Sequence, residues 1–397
     1  MGNNLSSASI LEQVRRIADE VVGPAARSVD EEARFPSEAF AALRQVKLLS
    51  SYVPREYGGA SGGAGGLTLS ELAQHCEVLA ERCASTAMVY AMHQIQVACV
   101  VRHAQGTPFF RDYLTQLVNE QRLIASVTSE AGVGGSTRTS IAPIQRDANG
   151  LCTVRKDGTV VSYGEAADDL LITMRRSAEA PASDQALVLV KRSECTLEKT
   201  ASWDTMGMRG TCSLGYIVTA SFPEAQIVPA PFGEVSAHTM VPFAHLLWSA
   251  CWLGIATGAV AQARAYVRDT ARKTPGVTPP SVLRLSEVST QLQLMRLQSQ
   301  TLAREFDELD AEPKRAKEVL SSLGFALKMN NLKISSSQLV VDITTQALRI
   351  CGTSGYRNDS RFSVVRNLRD AHSAALMISN DRIHASSGPL HLVHKDE

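Results

Sequence analysis

The chain has 397 residues, 44% of them hydrophobic and 20% charged, with 40 basic and 40 acidic side chains and a formal charge of zero. That length accommodates two or three domains, and the composition is that of an ordered globular chain rather than a disordered one. The charge balance lacks the basic surplus that a nucleic-acid binder normally carries, so no nucleic-acid partner is expected.

In chain order, helices are predicted first. Ile10, Leu11, Val14, Ile17, Ala18 and Val21 recur at steps of three and four, the apolar stripe of an amphipathic helix. A second helix is predicted over 40–49, after Pro36-Ser37. The glycine-rich run at 58–66 follows no predicted strand and has neither GxGxxG nor GK[ST] spacing. It is expected to be a mobile connecting loop rather than a phosphate cradle. Thr68-Leu69-Ser70-Glu71 has the capping-box pattern, which predicts a helix reaching about residue 83, and another is predicted over 85–103.

Near residue 123 the character changes. Strands are predicted over 123–128, 152–155, 170–174, 186–190 and 216–220. Asp147-Ala148-Asn149-Gly150 and Asp157-Gly158 are read as tight turns flanking the second of these. Helical periodicity returns over 246–267, 282–309 and 315–350, and again from 363 onward. Such segregated runs predict an α+β chain and argue against alternating βαβ units. The expected division is an N-terminal helical domain (1–122), a middle β domain (123–238) and a C-terminal helical domain (239–397).

Residues 242–261 are the best membrane candidate by length, with Gly254 and Gly258 four apart. His245 and Ser249 within the run, and Gln262, Arg264 and Arg268 beyond it, point instead to a buried helix and no membrane span. Residues 1–9 lack a secretory pattern. The eight cysteines stand singly, with no CxxC and no metal-ligand spacing. Reduced thiols, a cytoplasmic location and no metal are expected.

Five segments, in order, resemble motifs of the acyl-CoA dehydrogenase family. Arg55-Glu56-Tyr57-Gly58-Gly59 is similar to its PEEYGG segment, and residues 127–136, VTSEAGVGGS, to its TEPGAGSD loop. Residues 204–213, DTMGMRGTCS, resemble its LGxRxS strand. Residues 348–356, LRICGTSGY, resemble QILGGxGY, and Leu368-Arg369-Asp370-Ala371 resembles YRDA. The resemblance implies a helical domain, a β domain and a C-terminal helical bundle, with FAD held between the last two. It also implies a homodimer or homotetramer.

By the same resemblance, Ser129 stands where a threonine contacts the flavin ring, and Ser136 where polar residues follow the loop glycines. Gly132 and Gly134 would let the backbone approach the cofactor. Ser162 keeps the hydroxyl of the WIT triplet near flavin N5, while Val160 replaces its tryptophan and leaves that face more open. Gly352 and Gly355 match glycines that reach a neighbouring subunit's cofactor. Asn380 and His384 stand at the Thr and Gln positions of the terminal cofactor loop, and Arg272 at the arginine of RxxF, without the phenylalanine.

Dehydrogenation needs a base for the α-proton, a task suited to a carboxylate in a dry pocket. The position of the family's glutamate is Ile378 here, and the alternative position is Ala244, beside His245. Glu130 is matched by a structural glutamate of the family loop. Three readings stay open: a shifted base, Asp381 or His245; an oxygenation or other flavin chemistry; or binding of flavin or acyl groups without turnover. The leading expectation from the resemblance is a FAD-dependent α,β-dehydrogenation of an acyl thioester, of CoA or a carrier protein, with monooxygenation on the same fold as the alternative and a non-catalytic flavin- or acyl-binding scaffold third. The electron partner would be an acceptor flavoprotein, oxygen or a flavin reductase.

Overall fold

The structure, a computed structural model, describes residues 7–59, 66–104, 106–273 and 275–394. Residues 60–65 of the glycine-rich run lie outside it. The first helices are α1 (Ser7–Ile17), α2 (Gly23–Glu31), joined to α1 by a π-helical turn, and α3 (Ser37–Gln45). Then come α4 (Leu69–Arg82), α5 (Ala84–Ala104) and α6 (Pro108–Glu120). Thr68 and Glu71 complete the capping box that opens α4, each satisfying a backbone N–H of the other's residue. The helix predicted to reach 49 stops at Gln45, because Lys47 takes a left-handed conformation (φ 60°).

Seven strands follow: β1 (Ile124–Val127), β2 (Gln145–Arg146), β3 (Leu151–Val161), β4 (Asp169–Arg175), β5 (Gln185–Lys191), β6 (Cys195–Ala201) and β7 (Leu214–Pro223). They form two sheets, β1-β4-β5 and β2-β3-β7-β6, with β1 parallel to β4 and every other pairing antiparallel. β4 and β5 are buried almost throughout, as strands covered on both faces are. The turn expected at Asp157-Gly158 is instead inside β3, which pairs with β7 and shifts register between Gly158 and Val161. A Cβ on Gly158 would lie 2.9 Å from a Val161 methyl, so the glycine serves a strand irregularity, not a turn.

The remaining helices are α7 (Phe232–Val235), α8 (Val241–Lys273), α9 (Ser281–Asp310), α10 (Pro313–Leu320), α11 (Leu323–Cys351), α12 (Thr353–Tyr356), α13 (Val365–Ala371) and α14 (Asn380–Ser387). The single helix predicted over 315–350 is therefore two, because Ser322 caps a new start at α11 by accepting from the Phe325 amide. α8 is the central helix and packs on α4, α5, α9 and α11. A Cβ on Gly254 would come within 2.3 Å of the Glu77 carbonyl, so that glycine lets α8 pass α4 closely. By length and composition α5 and the span 232–273 could cross a membrane, but 94% and 89% of their most apolar windows are buried in this chain's own core. The strand-rich middle between two helical blocks is the α+β architecture expected.

Candidate active site

The last turns of β3, the loop after β1, the 204–213 loop and the chain after α13 are tied together by a continuous set of hydrogen bonds. Ser129 donates its hydroxyl to the Val160 carbonyl (2.8 Å) and accepts from the Val160 amide (3.0 Å). This fixes the loop after β1 against the end of β3. The Ser129 proton is thereby committed to the strand, which leaves the hydroxyl oxygen one lone pair for a further partner. Gly132, Gly134 and Gly135 all have positive φ, a conformation that glycine adopts without strain. Ser136 accepts from the Arg138 amide (3.2 Å), so its hydroxyl shapes the loop.

Glu130 is buried beneath this loop. It accepts from the Ser140 hydroxyl (2.7 Å) and the amides of Ile141 (3.2 Å) and Ala142 (2.8 Å). Its counter-ion is Lys156, 3.5 Å away, whose side chain is fully buried and donates to the Thr173 hydroxyl (2.9 Å) and carbonyl. Burial pushes the Lys156 amine down to about 8, against the opposing pull of Glu130. A carboxylate with three donors and a cation is structural, not a base.

At the end of β3 the Ser162 hydroxyl lies 2.7 Å from that of Ser213, which is 2.7 Å from that of Thr211. Thr211 donates to the Met208 carbonyl (2.8 Å), which also accepts from Trp203 Nε1 (3.0 Å). The amide of Met208 donates to Asp370 (2.6 Å), a side chain only 3% exposed, so α13 holds the 204–213 loop in place. Burial pushes the Asp370 carboxyl up to about 6. Beside it, Arg369 pairs with Asp30 of α2 and donates to the Met206 carbonyl (2.7 Å). Gly207 is squeezed in this joint, since a Cβ there would be 2.3 Å from the Arg369 carbonyl.

The terminal segment closes the other side. Arg382, which the sequence did not single out, donates from its guanidinium to the carbonyls of Gly134 and Gly135. Asn380 is turned the other way: its Oδ1 accepts from the buried Lys333 amine (2.6 Å) and its amide nitrogen donates to Ser337 (3.0 Å). The Lys333 amine also lies 5.8 Å from the Trp252 ring centre, and burial pushes it down to about 8. Asn380 thus anchors α14 to α11. His384 is exposed on α14, and Arg272 is exposed at the end of α8. Gly352 ends α11 with φ 55°, while Gly355 packs on Cys351, where a Cβ would meet the Cys351 Cβ at 2.6 Å.

Neither substitute base suits the task. His245 is 4% exposed, its Nδ1 lies 3.0 Å from the Met329 carbonyl, and burial pushes it down to about 4. It is a neutral imidazole that joins α8 to α11. Asp381 is exposed in the first turn of α14. Ile378 is 38% exposed and has φ 45°, a conformation that costs a β-branched residue.

The residues present fit a flavin. Ile141, Val160, Met206 and Ile378, on the segments just joined, are 52%, 44%, 56% and 38% exposed. These apolar side chains are open to a ligand rather than packed into the core. With the Ser162 hydroxyl and a glycine loop backed by the Arg382 cation, they offer what a flat, amphipathic ring bearing a phosphate tail requires. Among the described residues no cluster of His, Cys, Asp or Glu could hold a metal ion.

Comparison with known proteins gives the same class. Residues 6–121 match the N-terminal domain of acyl-CoA dehydrogenase and residues 236–383 match its C-terminal domain. This chain belongs to the acyl-CoA dehydrogenase family, and it is a flavin-dependent oxidoreductase. It is 22% identical over 379 residues to cyclohex-1-ene-1-carbonyl-CoA dehydrogenase of Syntrophus aciditrophicus, covering 94% of this chain and 86% of the relative. It is 26% identical over 380 residues to cyclohexane-1-carbonyl-CoA dehydrogenase of Geobacter metallireducens, covering 91% and 90%. Among solved structures it resembles the FMN-bound dibenzothiophene monooxygenase TdsC of Paenibacillus sp. A11-2 (TM-score 0.83, 20% identity, 98% of each chain). It also resembles butyryl-CoA dehydrogenase of Megasphaera elsdenii (TM-score 0.80, 18% identity, 99% and 100%). The structural likenesses establish the fold.

Proposed function

We propose that this oxidoreductase carries out a flavin-dependent monooxygenation of an acyl thioester or a related small molecule. The observation that carries this reading is the absence of any carboxylate at the two base positions, Ile378 and Ala244, in a chain that belongs to a flavin-dependent family. An α-proton has no acceptor there: His245 is locked neutral in the core and Asp381 is on the surface. Oxygenation asks for no such base. Reduced flavin, delivered by a separate reductase, supplies two electrons to dioxygen, one oxygen atom entering the substrate and the other leaving as water.

In this reading FAD is the flavin. The loop glycines Gly132 and Gly134 with Arg382 would hold its phosphates, Ser162 the polar edge of its ring, and Val160 one face. Gly352 and Gly355 would reach the cofactor of a second subunit in a homodimer or homotetramer. The division at 122 and 238 then separates the two helical parts from the β part that carries most of the cofactor contacts.

A second reading, α,β-dehydrogenation of an acyl-CoA, is favoured by the two relatives named above, both of which are acyl-CoA dehydrogenases. The test is a pair of assays on flavin-loaded protein. Reduced flavin under air should give substrate-dependent oxygen uptake with incorporation of labelled oxygen into product. Anaerobic bleaching of the oxidised flavin's long-wavelength band by an acyl-CoA would overturn the oxygenation reading and support dehydrogenation. Failure to take up either FAD or FMN would overturn both.

A further inference from the structure

The hydroxyl chain at the end of β3 has a direction that follows from counting hydrogens. Each serine or threonine hydroxyl has one proton to donate and two lone pairs to accept with. Thr211 donates its proton to the Met208 carbonyl, a bond of 2.8 Å, so its oxygen must be the acceptor in its 2.7 Å contact with Ser213. The Ser213 proton is then committed to Thr211, and in the 2.7 Å contact with Ser162 the donor must be Ser162. The far end of the chain is fixed because the Met208 peptide is held on both sides. Its amide donates to the buried Asp370 carboxylate (2.6 Å), and its carbonyl also receives the Thr211 amide (3.1 Å) and Trp203 Nε1 (3.0 Å). Such chains polarise one another, so every proton points inward, toward Asp370.

We propose that Ser162 meets the flavin only as a hydrogen-bond acceptor, and that the site therefore holds the reduced, N5–H-bearing form more tightly than the oxidised form. This rests on the reading of Ser162 as the residue at the polar edge of the flavin ring. Oxidised N5 carries a lone pair and needs a donor, which the relay has taken away. The reduced ring presents an N–H, for which the Ser162 oxygen is a partner. Thr211, Ser213 and Asp370 are positioning residues that set the sense of that bond without touching the cofactor. A protein that receives flavin already reduced would gain from this polarity, because it retains the incoming form and releases the spent one.

The test is anaerobic titration of the protein with oxidised and with reduced flavin, by fluorescence and absorbance, supported by the bound flavin's potential measured against a reference dye. Wild type should bind the reduced form more tightly. Ser213→Ala frees the Ser162 proton to point outward, and the ratio of oxidised to reduced dissociation constants should fall about three- to tenfold, the range of one ordinary hydrogen bond. A tenfold fall corresponds to a potential lower by about 30 mV for a two-electron couple. Ser213→Thr keeps the hydroxyl and should retain the wild-type ratio. Should Ser213→Ala not fold, Thr211→Val, which removes the fixed end of the relay at nearly constant shape, should lower the ratio in the same sense. A ratio unchanged or raised in these variants, with flavin still bound, overturns the proposal and leaves the flavin assignment standing. Wild type that binds neither redox form overturns the flavin assignment itself, and this proposal with it.

Discussion

Replacing Lys156 by methionine tests how the cofactor loop is supported. The amine is fully buried, 3.5 Å from Glu130, and also donates to Thr173. Methionine of similar length removes the cation and leaves the Glu130 charge in the interior with only its three neutral donors. Breaking a buried pair from one side costs about 3–5 kcal/mol, because the remaining charge is uncompensated. Glu130→Gln should cost less, about 1–2 kcal/mol. Its oxygen can still accept the Ile141 and Ala142 amides, and the lysine, held at about 8, escapes its charge near neutrality for about 1.4 kcal/mol per pH unit. Chemical denaturation followed by circular dichroism gives both values, with an unchanged m-value confirming that stability alone has moved. The pH dependence adds an independent check. Between about 8 and 10.5 the unfolded chain binds a proton that the folded one does not, so stability should rise with pH in that window by up to about 3 kcal/mol. Lys156→Met should lack this rise. A Lys156→Met cost below that of Glu130→Gln, or an identical pH profile, would refute the reasoning.

His93 gives a second pH signature. The Ile124 amide donates to its Nδ1 (3.0 Å), so Nε2 must carry the proton donated to the Leu49 carbonyl (2.7 Å), and burial pushes the ring down to about 4. The folded chain refuses the proton that the unfolded one takes, so this one ring should contribute up to about 3 kcal/mol to the loss of stability as pH drops from 6.5 to 4, and His93→Gln should remove that share in a thermal-melt series while His75, His103 and His245, also lowered by burial, keep theirs. Gly207→Ala forces a methyl against the Arg369 carbonyl, where neither backbone can yield. A loss of at least 1–3 kcal/mol is expected, together with weaker flavin retention on gel filtration; full retention and stability would show that the joint has slack.

Much of the fold was legible from local pattern. The capping box at Thr68 and Glu71, the apolar runs of β4 and β5 and the long α8 all announce themselves within a dozen or so residues. β6 does not, because it is an edge strand whose residues after Cys195 are mostly exposed and show no alternation. The break before α11 rests on a single serine cap. The site was legible as segments but not as contacts. Ser162 and Ser213 are 51 residues apart, Met208 and Asp370 162 apart, and nothing in spacing says that they touch. Arg382 escaped notice because its partners are carbonyl oxygens, which leave no trace in side-chain type. The protein's own bonds to Ser129 and Asn380, from the Val160 backbone and from Lys333 and Ser337, are equally invisible in spacing.

The joint between Asp30, Met206 and Arg369 spans 339 positions of chain, which dictates when it can form during synthesis. A ribosome adding about 5–20 residues per second needs roughly 8–30 s to travel from Ser213 to Asp370. Through that interval the N-terminal helices and the sheets have emerged, while the wall that α13 and α14 provide does not yet exist. The 204–213 loop, whose Met208 amide is held by Asp370 in the finished fold, lacks that anchor through the whole interval. A protein shortened by its last thirty residues would emerge with its sheets built but without Arg369, Asp370 and Arg382, the side chains that tie the 204–213 loop and the glycine loop to the C-terminal segment.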